Sequence, residues 1–177
     1  MRVVLALHQF PPYGNGGTEQ LVAWTARALS QAGHAVRIVA AIPRRSSASA
    51  QSRGPLNGDL DVAFLEPATD GTASGRIRGE YADPHMGEAF GRVLDGFRPD
   101  VVHFFHLGGL TTCALEEAAV RGIPTVVMVT DFWFECPTIQ LLLTDDSVCP
   151  GPSASRLNCA GPSPGCCAAT LSRRERG

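Results

Sequence analysis

Glycines and polar side chains near the start of the chain have the types and spacing of an anion-binding loop. An apolar run at residues 3–7 is followed by the segment PPYGNGGTE, residues 11–19, and then by an amphipathic stretch. Glycines let a backbone approach a phosphate closely, and the amides and positive dipole end of a following helix attract the anion. The sequence therefore predicts a phosphate site at Gly14, Gly16 and Gly17, unless these glycines only form a tight turn between strand and helix.

The spacing of the loop argues against the two commonest nucleotide-binding motifs. A dinucleotide fingerprint that begins at Gly14 needs its third glycine at position 19, where Glu19 stands. A Walker loop needs a lysine, and all 15 Lys and Arg residues of the chain are arginines. A P-loop hydrolase is therefore excluded, and a nicotinamide enzyme, including an NADP-dependent one that uses Arg44 and Arg45, is disfavoured.

Composition bounds the class of protein. A chain of 177 residues with 44% hydrophobic and 18% charged residues can bury one good core and hardly two. The net charge of -2 provides no broad basic surface, so nucleic acid is not an expected partner. The apolar start is too short for a secretory leader, and no 18-residue apolar run exists. These features predict a cytoplasmic protein.

Apolar runs alternate with amphipathic stretches along the first 130 residues. Strands are predicted at residues 3–7, 36–41, 61–65, 101–105 and 125–129, the last of them buried. Asp83 and Pro84 have the types of a helix cap and first helical residue, and Gly122 is placed to end a later helix. In the first helix, the residues predicted to face the core are Leu21, Val22, Thr25, Ala28, Leu29 and Ala32. Repeated strand–helix units predict an α/β fold with a doubly wound, mostly parallel sheet.

Ligands of such sheets bind at the carboxyl ends of the strands, which directs attention to polar residues that follow predicted strands. His106 has an imidazole that can hydrogen-bond a hydroxyl or phosphate, or simply lie at the surface. Asp131 can bind hydroxyls or cap the turn that follows it. Glu19 falls in the first helical turn, where the helix dipole alone favours a carboxylate. His103 lies inside its strand and is predicted to be a core residue.

Three segments in order, PPYGNGGTE, RPDVVHFFHLGGL and VTDFWFECPTIQLL, resemble the N-terminal half of family 4 glycosyltransferases, which have the GT-B fold. The resemblance implies a Rossmann-like domain over residues 1–135. It implies retaining transfer of a sugar from a nucleotide-diphosphate donor to an acceptor, with no bound catalytic metal and no other cofactor. The acceptor would be a glycan, a lipid or a small molecule, and a lipid would bring peripheral association with the inner face of the membrane.

The resemblance also implies roles for individual residues. The residues implied to bind the donor diphosphate are Gly14, Gly16, Gly17 and Thr18. The residues implied to bind the acceptor or sugar are Glu19, His106, Thr130 and Asp131, with Asp131 the candidate for a catalytic role. Many family members have a histidine where Thr130 stands, so a role that needs an imidazole at that position is not transferred.

In the family, a C-terminal half holds most of the nucleotide and carries a pair of glutamates, and nothing in residues 132–177 can be that half. We therefore expect a fragment, the acceptor-side domain of a glycosyltransferase that lacks its C-terminal GT-B domain and is inactive alone. The alternative is a stand-alone module that binds an anion or nucleotide sugar without catalysis.

Residues 136–177 are predicted to form an irregular extension rich in cysteine, proline and glycine, and they contain five of the six cysteines. Clustered cysteines in a cytosolic chain suggest a metal more than a disulfide framework. A structural zinc on Cys136, Cys149, Cys159 and Cys166 is one hypothesis. The spacing contains no CxxC pair, so free thiols or labile disulfides are the favoured alternative.

Overall fold

Five parallel strands form a single sheet in the part of the chain that the computed structural model describes, which is residues 1–43, 58–67, 81–133, 141–142 and 147–151. The strands are β1 (Arg2–Leu7), β2 (Ala35–Ala41), β3 (Val62–Leu65), β4 (Val101–Phe104) and β5 (Thr125–Val127). The helices are α1 (Gly17–Gln31), α2 (Pro84–Phe97) and α3 (Thr111–Val120). The strand order β3-β2-β1-β4-β5 confirms the predicted parallel α/β sheet, with β1 at its centre.

The helices cover both faces of the sheet, because successive residues of a strand point to opposite sides. Leu5 and its neighbours two residues away pack with Val22 of α1 in one apolar cluster. Phe104, which is in register with Ala6, faces the other side and meets Phe90 of α2 with ring centroids 5.6 Å apart. The sheet is therefore doubly wound, as the sequence predicts.

Local signals set both ends of α2, and its start is the one predicted from the sequence. The Asp83 side chain accepts a hydrogen bond from the Met86 amide at 3.3 Å, and Pro84 occupies the first helical position, where its missing N–H costs nothing. The helix ends at Arg98, which adopts the left-handed conformation with φ 50°. Pro99 follows, so the chain cannot continue the helix.

The apolar stripe predicted for α1 is partly wrong. The residues of this helix that are buried are Glu19, Val22, Ala23 and Ala26. Leu21 and Ala28 are exposed, and Trp24 is exposed at 61% of its surface. Small residues on the buried side let the helix lie close to the sheet. The side of α1 that faces the sheet is therefore the one that carries alanines, not the one with the bulkiest side chains.

The prediction that the fifth strand is buried is wrong as well. All three residues of β5 are exposed, with Val126 at 49%. β5 pairs with β4 on one side only and forms an edge of the sheet that the described residues make. An apolar run in the sequence cannot distinguish a central strand from an edge strand, because both have the same residue types.

His103 of β4 is only half-buried, although it was predicted to lie in the core. The imidazole stacks on Phe105 with ring centroids 4.1 Å apart. Burial lowers the pKa of His103, because the charged form is poorly solvated there. His103 thus has a packing contact with Phe105, as a structural residue would, but its ring is only partly buried.

An ion-pair network joins α2 to the end of α3. Arg121 donates through Nε and Nη2 to the two carboxyl oxygens of Asp95, at 2.7 and 2.9 Å. It also pairs with Glu117, one turn earlier in its own helix. Hydrogen bonding from Arg121 lowers the pKa of Asp95, and the same two carboxylates raise the pKa of Arg121.

Replacing Asp95 by asparagine is expected to destabilise the chain slightly at neutral pH and not at all in acid. A carboxyl group whose pKa is lowered by folding stabilises the fold above its ordinary pKa of 3.8 and loses that effect as the pH falls through the lowered value. The effect is small because the pair is exposed and screened by solvent. Urea unfolding of both proteins across the acid range measures it, with Glu88→Gln on an exposed position of the same helix as control. If the difference in stability between wild type and Asp95→Asn is as large in acid as at neutral pH, the charge of Asp95 is not its cause.

The chain divides into two compact units, Met1–Met128 and Val129–Gly177. None of the described helices has the length and apolar character needed to cross a membrane.

Of the four cysteines proposed for zinc, Cys136, Cys159 and Cys166 lie outside the described residues, while Cys149 is described and half-buried. Among the residues that the structure describes, no group of three His, Cys, Asp or Glu side chains could hold a metal ion.

Candidate functional site

The loops after β1 and β4 meet at the carboxyl end of the sheet. His8 follows β1 directly, and its ring lies 4.4 Å from the ring of His106, which follows β4, with the two planes tilted by 49°. The two predicted polar segments therefore converge, as the rule for parallel sheets requires. We call the group formed by His8, Glu19 and His106 the rim cluster.

Glu19 connects the glycine loop to the start of α1. Its Oε2 accepts a hydrogen bond from the Gly16 amide at 2.8 Å, which satisfies one of the amides that a helix leaves unpaired at its N-terminus. A Cβ at residue 16 would lie 2.9 Å from the same oxygen, so a larger residue there would press on the Glu19 carboxyl group. The Gly16 amide already has an acceptor within the chain.

His8 lies on the other side of the Glu19 carboxyl group. Its Nε2 is 3.3 Å from Oε1 of Glu19, a side chain with only 2% of its surface exposed. A carboxyl group that deep in the protein is costly unless polar groups surround it. The Gly16 amide hydrogen-bonds Oε2, whereas Oε1 accepts no hydrogen bond from the described residues and has the His8 imidazole at ion-pair distance.

A local hydrogen bond fixes the proton of His106. The Gly108 amide donates to Nδ1 of the ring at 2.8 Å, so Nδ1 is the acceptor and the neutral ring carries its proton on Nε2. A Cβ at Gly108 would lie 2.8 Å from Cε1 of His106 and 3.5 Å from Cβ of His8. A side chain at Gly108 would therefore press on the ring of His106, whose neighbour on another side is the ring of His8.

The next residue, Gly109, brings a third strand end to the same place. It has φ 71°, a conformation that favours glycine. A Cβ there would be 3.0 Å from Cβ of Ala41 at the end of β2, and 3.8 Å from the carbonyl oxygen of His8. The ends of β1, β2 and β4 thus lie close together around the backbone of Gly109, where the lack of a side chain leaves room for the contact.

The residues predicted to bind a diphosphate differ in how much space surrounds them. A Cβ at Gly14 would collide with the side chain of Gln9, at 2.4 Å. A Cβ at Gly17 would have nothing within 4 Å, and Thr18 beside it is half-buried. The open approach to α1 is therefore at Gly17 and Thr18, while Gly14 and Gly16 are occupied by neighbouring side chains.

Thr130 and Asp131, predicted as acceptor residues, belong to the second compact unit. Within that unit, Oδ1 of Asp131 accepts a hydrogen bond from the Trp133 amide at 2.9 Å. This is the local turn bond of an aspartate that follows a strand, the structural alternative considered for this residue. The binding and catalytic roles of Thr130 and Asp131 stay predictions.

Sequence reasoning did not identify His8. The residue directly follows the apolar run of β1, and a polar residue at the end of a central strand is a signal for the binding edge of a parallel sheet. What the sequence could not reveal is that the ring lies between Glu19 and His106, which are 11 and 98 residues away along the chain.

Comparison with solved structures supports the fold. The lipopolysaccharide outer core galactosyltransferase WaaB in its apo form is 12% identical, with a TM-score of 0.51 over 72% of this chain and 32% of that chain. The UDP-GlcNAc 2-epimerase from Neisseria meningitidis, bound to UDP-GlcNAc, is also 12% identical, with a TM-score of 0.50 over 76% of this chain and 35% of that chain. MurG of Acinetobacter baumannii is 17% identical with a TM-score of 0.49, over 71% of this chain and 34% of that chain.

The chain therefore spans about a third of the length of these solved structures. No curated protein sequence matches it significantly. The sheet has the mostly parallel, Rossmann-like arrangement of a GT-B half. The model of the glycosyl transferase 4-like domain matches residues 16–155, which include the glycine loop from Gly16 onward, Glu19 and His106. The chain belongs to the glycosyl transferase 4-like family.

Proposed function

We propose that the chain is the N-terminal, acceptor-side domain of a retaining glycosyltransferase that uses a nucleotide-diphosphate sugar, and that it does not transfer sugar alone. The observation that carries the proposal is the meeting of the glycine loop with His8 and His106 at the carboxyl edge of a sheet in this family. That edge is where parallel α/β sheets bind ligands.

The donor diphosphate would lie at the first residues of α1. Gly17 leaves space there, and the N-terminus of a helix attracts negative charge. The Gly16 amide is already engaged by Glu19, so the phosphate oxygens would meet the amides of Gly17 and Thr18. In this proposal Gly14 and Gly16 shape the loop, and Gly17 and Thr18 contact the ligand.

The lack of cationic side chains in the loops supports the proposal that donor binding needs a second domain. The segments after β1 and β4, residues 8–16 and 105–110, contain no arginine, and the chain has no lysine. A diphosphate bound at these loops would have only a helix terminus and imidazoles to balance its charge, which favours weak binding. A C-terminal GT-B domain that holds the rest of the donor would supply the missing cationic contacts.

The rim cluster would serve the acceptor or the transferred sugar. His106 in its neutral form is a donor at Nε2, and carboxyl oxygens accept from sugar hydroxyls. Both suit a ligand rich in hydroxyl groups, whether a glycan, a small molecule or the head group of a lipid. In this proposal the chain acts in the cytoplasm, or at the inner face of the membrane if the acceptor is a lipid.

The proposal is tested by ligand-observed NMR of the 177-residue chain with UDP-GlcNAc, dTDP-glucose, UDP and free glucose. We expect weak binding of the nucleotide-containing ligands and none of free glucose at the same concentration. A transfer assay on the same protein should show no product above the background of nucleotide-sugar hydrolysis. Efficient sugar transfer by the chain alone would refute the proposal that it is inactive without a second domain. If none of the nucleotide-containing ligands binds, the proposed donor site is wrong.

The alternative, a stand-alone module that binds an anion or nucleotide sugar without catalysis, uses the same loop. The two proposals differ in what the encoding DNA contains downstream. A second α/β domain in the same or another frame supports the glycosyltransferase. Transfer activity that appears when that domain is supplied would decide between them.

A further inference from the structure

His8 touches both loops of the site, although no motif includes it. On one side its Nε2 lies 3.3 Å from Oε1 of Glu19, which in turn accepts from the Gly16 amide through Oε2. On the other side its ring packs 4.4 Å from His106, which accepts from the Gly108 amide. A continuous set of contacts therefore runs from the glycine loop to the loop after β4.

We propose that His8 is a positioning residue that couples these two loops, so that the glycine loop and His106 adopt their binding geometry together. A ligand that spans both loops would then meet one preformed site instead of two independent ones. The inference rests on the proposed function for the identity of that ligand, but the coupling itself is a property of the chain without ligand.

The energetic basis is the burial of Glu19. Its side chain has 2% of its surface exposed, and Oε1 accepts no hydrogen bond from the described residues, so the His8 imidazole at 3.3 Å is the polar group that offsets its burial. An unsatisfied buried carboxyl group costs enough to make the side chain move or take up a proton. Either response disturbs Oε2 as well, and with it the hydrogen bond that orders the Gly16 amide.

Contact between the two rings carries the disturbance to the second loop. His106 is held between the His8 ring and the backbone at Gly108, where a Cβ would be 2.8 Å from Cε1 of His106. Space that opens at His8 lets the ring of His106 rotate and lose the acceptor geometry at Nδ1. The tautomer of His106 then ceases to be fixed, which changes the donor that the site presents.

The experiment compares His8→Leu with His8→Gln in the 177-residue chain without ligand. Hydrogen exchange of the Gly16 amide and the imidazole ¹⁵N shifts of His106 are measured by NMR. We expect His8→Leu to speed exchange at Gly16 roughly tenfold and to mix the tautomers of His106. His8→Gln keeps an N–H donor for Glu19 and should restore at least the protection of Gly16. Unchanged values in His8→Leu, or equal losses in both variants, would overturn the proposal.

A second variant covers the case in which His8→Leu does not fold. Gly108→Ala pushes mainly on His106, since its Cβ would lie 2.8 Å from Cε1 and 3.0 Å from Nδ1 of that ring but 3.5 Å from Cβ of His8, an ordinary contact. If the loops are coupled through His8, exchange at Gly16 rises in Gly108→Ala, and the increase is absent when Gly108→Ala is combined with His8→Gln. An unchanged Gly16 amide in Gly108→Ala overturns the coupling.

Ligand binding separates this inference from the proposed function. If the coupling is found and UDP-GlcNAc does not bind, the proposed donor site fails and the role of His8 stands. If UDP-GlcNAc binds equally well to wild type, His8→Gln and His8→Leu, while exchange at Gly16 is unchanged, His8 has no positioning role and the donor site stands.

Discussion

Replacement of Gly17 by valine is expected to weaken binding of a nucleotide-diphosphate sugar at least tenfold while leaving the fold intact. A Cβ at Gly17 meets nothing within 4 Å, so the new side chain would stand in the open space at the first residue of α1. That space is where the proposal puts the phosphate groups, which need direct approach to the backbone amides. The backbone of Gly17 is not in the left-handed region, so valine is tolerated there.

The matched control is Gly96→Val in α2, another helical glycine whose Cβ would have nothing within 4 Å. It should change neither binding nor the midpoint of urea unfolding appreciably. Gly16→Val is a poorer test, because its Cβ would collide with Oε2 of Glu19 and disturb the loop whatever the ligand. Ligand titrations followed by NMR measure the effect. Equal affinity of Gly17→Val and wild type would show that the diphosphate does not bind at this loop.

The largest expected loss of stability is for Phe90→Ala, about 3–5 kcal/mol in the free energy of unfolding. Phe90 is fully buried in α2 and packs on Phe104 of β4, so its removal leaves a cavity between helix and sheet. The total free energy of unfolding of a typical domain is only about 5–15 kcal/mol. A large fraction of the variant should therefore be unfolded at moderate urea concentrations.

Trp24→Ala is the control, since it also removes a large aromatic side chain from a helix. Trp24 is 61% exposed, and surface changes of this kind usually alter stability by less than about 0.5 kcal/mol. Urea unfolding followed by circular dichroism measures both. Similar losses for the two variants would mean that α2 does not pack on the sheet as described.

The parts of the fold that sequence analysis predicted are those that depend on local chemistry. The cap at Asp83 and Pro84 needs only the residues of one helical turn, and it forms as predicted. Gly122, two residues after the end of α3, has φ 64°, a conformation that glycine permits and most residues do not. The order of apolar runs likewise sufficed to predict a parallel sheet.

The errors arose where burial depends on neighbours that are distant in sequence. In α1 two apolar stripes compete, one with Leu21 and Ala28 and one with Val22 and Ala26, and the sequence does not show which faces the sheet. The exposure of Val126 depends on whether β5 has a further neighbour, which its own residue types do not reveal.

The rim cluster shows the same limit at the site. The sequence predicted that the helix dipole favours a carboxylate at Glu19. The structure adds that this carboxylate accepts a hydrogen bond from the Gly16 amide and is buried beside His8. His8 has no motif around it, and its importance comes only from contacts across two loops. The chemistry of individual residues could be inferred from the sequence, whereas the grouping of His8 with Glu19 and His106 required the folded chain.

The exposed edge strand bears on how the purified chain will behave at high concentration. Among the described strands, β5 has no neighbour on the side away from β4, and Val126 and Val127 are exposed. A short apolar edge is a template for pairing with another molecule, and natural sheets usually protect such edges with charges or prolines. Neither device occurs between residues 125 and 129, where the sequence is TVVMV. Reversible self-association, and aggregation on heating, are therefore expected to begin at this strand, and Val126→Lys is the simplest way to improve solubility without changing the loops of the candidate site.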